Sequence, residues 1–156
     1  MPAGVPADGG PAVSHVYRQS NTTLIVTVVH DGGTDLIVPQ TPPAAAGIGW
    51  AVMDGGSAAA PGPIVTATAS MRLNATQLQL TLAHPLSNPS SGCRLFYPYG
   101  TTTIGRGNAV TDNLANVTPP DGWNIAADLG AAWSLNMPVH VPLSSPSGIA
   151  LSDAPA

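Results

Sequence analysis

Between Gln77 and Ala83 the chain reads QLQLTLA, an unbroken alternation that sets Leu78, Leu80 and Leu82 on one face of an extended segment and Gln77, Gln79 and Thr81 on the other. This is the period of a strand with one buried face. Leu24, Val26 and Val28 repeat the pattern earlier in the chain, and an aromatic segment, CRLFYPYG, follows QLQLTLA after a Pro/Ser/Gly turn. The stretch from Gln77 to Asn113 contains no recognisable nucleophile, metal or phosphate motif. It specifies a β framework and assigns no chemistry.

The rest of the composition agrees with that framework. Lysine and glutamate are absent: the four basic residues are Arg18, Arg72, Arg94 and Arg106, and all eight acidic residues are aspartates. Exposed helix faces are normally built from Lys and Glu, whereas the abundant Asp, Asn, Gly, Pro, Ser and Thr favour turns, so little helix is expected. Only the segment from Asn124 to Leu135 could hold a short one. Strands are expected near Thr22 to His30, Leu36 to Pro39, Gly49 to Met53, Ile64 to Ser70, Gln77 to Ala83, Cys93 to Tyr99, Ala109 to Thr111 and Val139 to Pro142. About eight short strands separated by such loops imply an all-β fold, an antiparallel β-sandwich or jelly roll. At 156 residues the chain is long enough for one domain, with a thin core that leans on Ala and Val.

The predicted organisation is a Pro/Gly-rich arm at 1–16, a sandwich at 17–142 and an extended tail at 143–156. The first segment, MPAGVPADGGPAVSHVYRQ, has neither a basic n-region nor an apolar run, so it reads as neither a signal peptide nor a membrane span. Both arms offer little apolar area against their ordering entropy, which suits docking onto a neighbouring subunit.

A net charge of −4 with only 8% charged residues removes the basic footprint that nucleic acid requires. Cys93 is the single cysteine, excluding an intrachain disulfide, and its hydrophobic flanks predict a buried structural thiol. His15, His30, His84 and His140 show no ligand spacing, and no cofactor or metal is expected. The Asp31-Gly-Gly-Thr-Asp35 and Asp54-Gly-Gly clusters could offer oxygens to calcium but are also ordinary turn vocabulary. Asn21, Asn74 and Asn116 head sequons that arise readily in a Thr/Asn-rich chain.

The best case for a ligand lies with the aromatics. Sugars stack on flat apolar rings flanked by amides and carboxylates, and Tyr97, Tyr99, Trp123 and Trp133 lie in sequence near Asn108, Asp112, Asn113 and Asp121. The competing expectation is that Trp50, Trp123 and Trp133 fill a core poor in large side chains. A mixed arrangement would bury Trp50 and expose a tyrosine.

The succession HDGGTDL (His30 to Leu36), PPAAAGIGWAVMDGG (Pro42 to Gly56), QLQLTLAHPL (Gln77 to Leu86), LFYPYGTTTIGRGNAVTDN (Leu95 to Asn113) and LGAAWSLNMPV (Leu129 to Val139) resembles a known domain. It is the β-sandwich that follows the catalytic domain in bacterial and phage-associated SGNH hydrolases of the sialate O-acetylesterase type. That family's strand arginine and aromatics would correspond to Arg94, Phe96, Tyr97 and Tyr99, with Pro98 departing from the pattern and implying an edge or bulge. SGNH chemistry needs a serine in a G-D-S block and a base in a D-x-x-H block, and this chain has neither. The expected role is therefore non-enzymatic: a structural or surface component of a phage-like virion, such as a capsid decoration, head fibre or tail component. Its partners would be further copies and other virion or surface proteins, with glycans as a ligand, and neither nucleic acid nor membrane insertion. Its place would be the virion or extracellular surface after cytoplasmic synthesis. The alternative is a carbohydrate-binding or accessory module of an SGNH-type esterase.

Overall fold

The computed structural model describes residues 11–30, 33–40, 45–57, 59–97, 99, 110–113 and 148–156. The described residues are almost entirely β, with a single 3₁₀ turn at Ser90–Gly92 as their only helical element. The described residues contain nine strands: β1 (Ala12–Arg18), β2 (Thr23–Val29), β3 (Leu36–Ile37), β4 (Ala51–Asp54), β5 (Ile64–Asn74), β6 (Gln77–Leu82), β7 (Cys93–Phe96), β8 (Thr111–Asp112) and β9 (Ile149–Ala150). Seven of them form one antiparallel sheet in the order β1-β2-β6-β5-β4-β7-β9, while β3 and β8 make a separate pair.

The large sheet curls until its two ends meet. Tyr17 and Ser152 form a parallel bridge, with the Arg18 N–H donating to the Ser152 carbonyl and the Ser152 N–H to the Val16 carbonyl, both at 2.8 Å. The layered β fold anticipated from the sequence is thus nearly a closed barrel, which leaves no long edge open among the described strands of the large sheet.

The register follows from the alternation. Leu24 faces Leu80 and Val26 faces Leu78 across β2 and β6, all four buried. The β-branched run TLIVTVV suits the pleated surface of β2. The β5–β6 hairpin turns where the Asn74 side chain accepts the Thr76 N–H at 3.0 Å, an Asx turn that the sequence Asn-Ala-Thr supplies locally. In the β4–β5 connection Gly56 adopts φ +83°, and a Cβ there would overlap the backbone of Ala60 to Gly62. Trp50, Leu36, Leu95, Val52 and Val110 complete a core whose fully buried aliphatic side chains each contribute on the order of 1.5–3 kcal/mol.

Two boundaries differ from expectation. Residues 12–16, assigned to the first arm, lie in β1 with Val13 and Val16 buried, and 149–151, assigned to the tail, supply β9 and the buried Leu151. Both segments read as too poor in apolar area to order alone, and both are held by pairing with the sheet and by burying Val13, Val16 and Leu151 in its core. The expected strand at Val139 to Pro142 and the short helix near Asn124 lie outside the described residues.

Candidate functional site

Each end of the barrel is stopped by a polar assembly. At the end where β4 finishes and β7 begins, the loop from His84 to Pro89 crosses from β6 to β7, two strands that are not neighbours in the sheet. Its carbonyls are gathered by Arg18, which donates to the backbone oxygens of Asn88 at 2.6 Å and Leu86 at 3.3 Å and to the Asn21 side chain at 2.9 Å. Its N–H groups are gathered by the buried carboxylate of Asp54: Oδ2 accepts from Ser87 at 2.8 Å and Oδ1 from Asn88 at 3.0 Å. The Asn88 amide and the Cys93 thiol, at 3.1 and 3.5 Å, complete the shell of Oδ1.

Burial opposes ionisation of Asp54, yet the hydrogen bonds from Ser87, Asn88 and Cys93 outweigh it and hold the carboxyl below the ordinary aspartate range. The same arrangement works against Cys93, whose thiol is pushed up by burial and then by the hydrogen bond and charge of Asp54. A thiol held in its protonated form is a poor nucleophile. The cluster is a fastening for the loop, with Leu86 buried behind it.

At the opposite end the β3–β8 pair is fastened by Asp112, Asn113 and His30. Asn113 accepts the N–H groups of Thr34 and Asp35 at 2.8 and 3.1 Å, and its amide donates to the Thr34 hydroxyl at 2.9 Å. Asp112 is fully buried, and a Cβ on Gly33 would overlap its carboxyl. His30 Nδ1 lies 3.7 Å from Asp112 Oδ2, while Nε2 is 2.8 Å from the Ala75 carbonyl. A carbonyl only accepts, so Nε2 carries a proton and spends it there. Asp35 in turn receives Nε and a terminal nitrogen of Arg72 at 3.0 and 2.6 Å.

The residues expected to bind a sugar therefore separate. Tyr97 is 2% exposed; its ring centroid lies 3.9 Å from that of Trp50, and its hydroxyl accepts the Val110 N–H at 3.2 Å. Burial pushes its phenol up. It is a core residue, because in Cys93–Phe96 and its continuation Cys93, Leu95 and Tyr97 share the inward parity. Asp112 is likewise interior, and Asn113 is occupied by the β3 loop. Tyr99 alone of the described candidates offers a ring, 46% exposed, with Phe96 6.0 Å away and tilted by 46°. Asn108, Trp123 and Trp133 lie outside the described residues, as do Asp121 and Asn116.

Of the turn clusters weighed for calcium, Asp54 is committed to Ser87 and Asn88, and Asp35 to Arg72; Asp31 lies outside the described residues. Among the described residues no three His, Cys, Asp or Glu side chains converge as metal ligands. The Arg18 and Asp54 fastenings were not foreseen. Their only sequence signal is a buried-strand aspartate followed by a loop rich in Pro, Ser and Asn.

No family model, no curated protein and no solved structure matches this chain.

Proposed function

We propose that the chain is a non-enzymatic structural domain, a surface subunit of a repetitive assembly such as a phage-like virion. One observation carries this reading: the outward wall formed by β1, β2, β6 and β5. Tyr17, Ile25, Gln79 and Met71 lie in register in one row across the four strands, with Met71 exposed, Tyr17 and Gln79 half-buried and Ile25 buried between them, flanked by rows containing Thr27 with Gln77 and Thr23 with Thr81. Ile64, Met71, Leu73 and Val29 are exposed on these strands, and their exposed Arg72 is met by Asp35. A broad wall of hydroxyls, amides and exposed aliphatics with almost no charge to desolvate is suited to burial against a neighbouring subunit.

The test is the mass of the purified protein by sedimentation and native mass spectrometry, beside a Gln79→Lys variant. Association of the wild type and its loss in Gln79→Lys, at an unchanged melting temperature, supports the proposal. A wild type that stays monomeric at high concentration refutes it.

A second reading is favoured by the Tyr99 ring beside Phe96, which has the exposed apolar face that a sugar stacks upon. It would make the chain a carbohydrate-binding or accessory module of the SGNH-associated kind. Saccharide binding by a monomer, abolished in Tyr99→Ala, distinguishes it from the first.

A further inference from the structure

The segment from Gly148 onward behaves as a ligand of the barrel it completes. Leu151, 5% exposed, is inserted into the core beside Ile149, and the Leu151 N–H donates to the Cys93 carbonyl at 3.2 Å. Ser152 exchanges its two backbone bonds with β1, Asp153 accepts from the Ser90 hydroxyl at 2.5 Å, and the Ala154 carbonyl lies 2.7 Å from His15 Nε2. Except for a turn between Ser152 and Ala154, these bonds run to residues of β1, β7 and the Ser90 turn. The groove that receives the segment is bounded by β7, which it meets antiparallel, and β1, which it meets in parallel.

None of these contacts requires groove and segment to belong to the same chain. Residues 114–147, which separate Asn113 from Gly148, number 34, a contour length of about 110 Å at about 3.3 Å per residue. At Gly148 the backbone enters with φ +78°, and a Cβ there would press on the Leu95 carbonyl and the Phe96 ring, so the entry geometry is fixed by the groove. With only two residues in β9, the closing strand is the shortest in the large sheet together with the least paired, the class of element that opens first.

We propose that in the assembled state the 148–156 segment of each copy occupies the β1–β7 groove of a neighbouring copy, so that the chains are linked by exchange of their last strand. The proposal rests on the assembly reading above. It adds to that reading the element that passes between subunits and the groove that accepts it.

Arg94 and Ala150 face each other across β7 and β9, which places an engineered pair at cross-strand separation. The experiment uses the full chain carrying Arg94→Cys and Ala150→Cys in a Cys93→Ser background. Equal amounts of ¹⁴N and ¹⁵N protein are refolded together, assembled, oxidised, treated with a short bis-maleimide to join any remaining thiols, and digested. Exchange gives mixed-isotope linked peptides, about half of the total by random partnering. Assembled protein yielding only single-isotope linked peptides overturns the exchange while leaving the assembly reading intact. Protein that never leaves the monomer overturns both.

Discussion

Replacing Asp54 by Asn isolates the contribution of the loop fastening, because the side chain keeps its shape and loses one acceptor and its charge. In the wild type the two carboxylate oxygens accept from Ser87, Asn88 N–H, the Asn88 amide and the Cys93 thiol. An asparagine oriented to keep the Asn88 bonds turns its amide nitrogen toward the Ser87 N–H, setting donor against donor. The loss is one charge-assisted hydrogen bond, about 1.5–3 kcal/mol, plus weakening of the remainder, for a total of about 2–4 kcal/mol. At roughly 2–4 °C per kcal/mol for a chain of this size, the melting temperature should fall by roughly 5–15 °C at pH 7. The effect depends on pH with a definite sign. The Asp54 carboxyl lies below 3.8 in the folded protein, so its stabilisation is complete above the unfolded value and is lost as pH falls through the folded one. The gap between wild type and Asp54→Asn should therefore narrow on going from pH 5 down to pH 2. Circular dichroism melts at both ends of that range provide the assay. A variant melting within a degree of wild type at pH 7, or a gap that widens in acid, would refute the reasoning.

Leu80→Ala, which empties a fully buried position opposite Leu24, should cost about 2–5 kcal/mol in chemical denaturation, and an unchanged midpoint would contradict the β2–β6 register. Cys93 should resist iodoacetamide at pH 8 in the native protein and react promptly once unfolded, since burial and Asp54 keep it protonated; fast native alkylation, followed by mass spectrometry, would show the thiol to be open.

Much of the framework was written locally. The alternation of Leu78, Leu80 and Leu82 against Gln77, Gln79 and Thr81 fixes which face of β6 is buried, and the Asn-Ala-Thr turn fixes where the hairpin reverses. The aromatic strand illustrates the limit. Its words suggested a binding surface, but the parity that carries Cys93 and Leu95 inward carries Tyr97 with them and leaves Phe96 on the other side, while Tyr99, of the same parity as Tyr97, lies past the end of β7 and is exposed. Asp112 and Asn113, expected beside a sugar, instead lie buried and bonded to the β3 loop, respectively. A polar side chain placed to hold backbone and one placed to hold a ligand have the same sequence signature.

What the sequence determined by itself is therefore the all-β class, the faces of β2 and β6 and the burial of Cys93, since each depends on period and neighbours along the chain. Closure of the barrel was decided only in three dimensions. Residues 12–16 and 149–152 have too little apolar surface to order alone, and they become strands because β2 and β7 present edges that satisfy their backbone groups. The fastenings by Arg18 and Asp54 join residues 33 to 70 positions apart. No local pattern encodes such a pairing, because its energy exists only once the sheet has brought the loop and the carboxylate together.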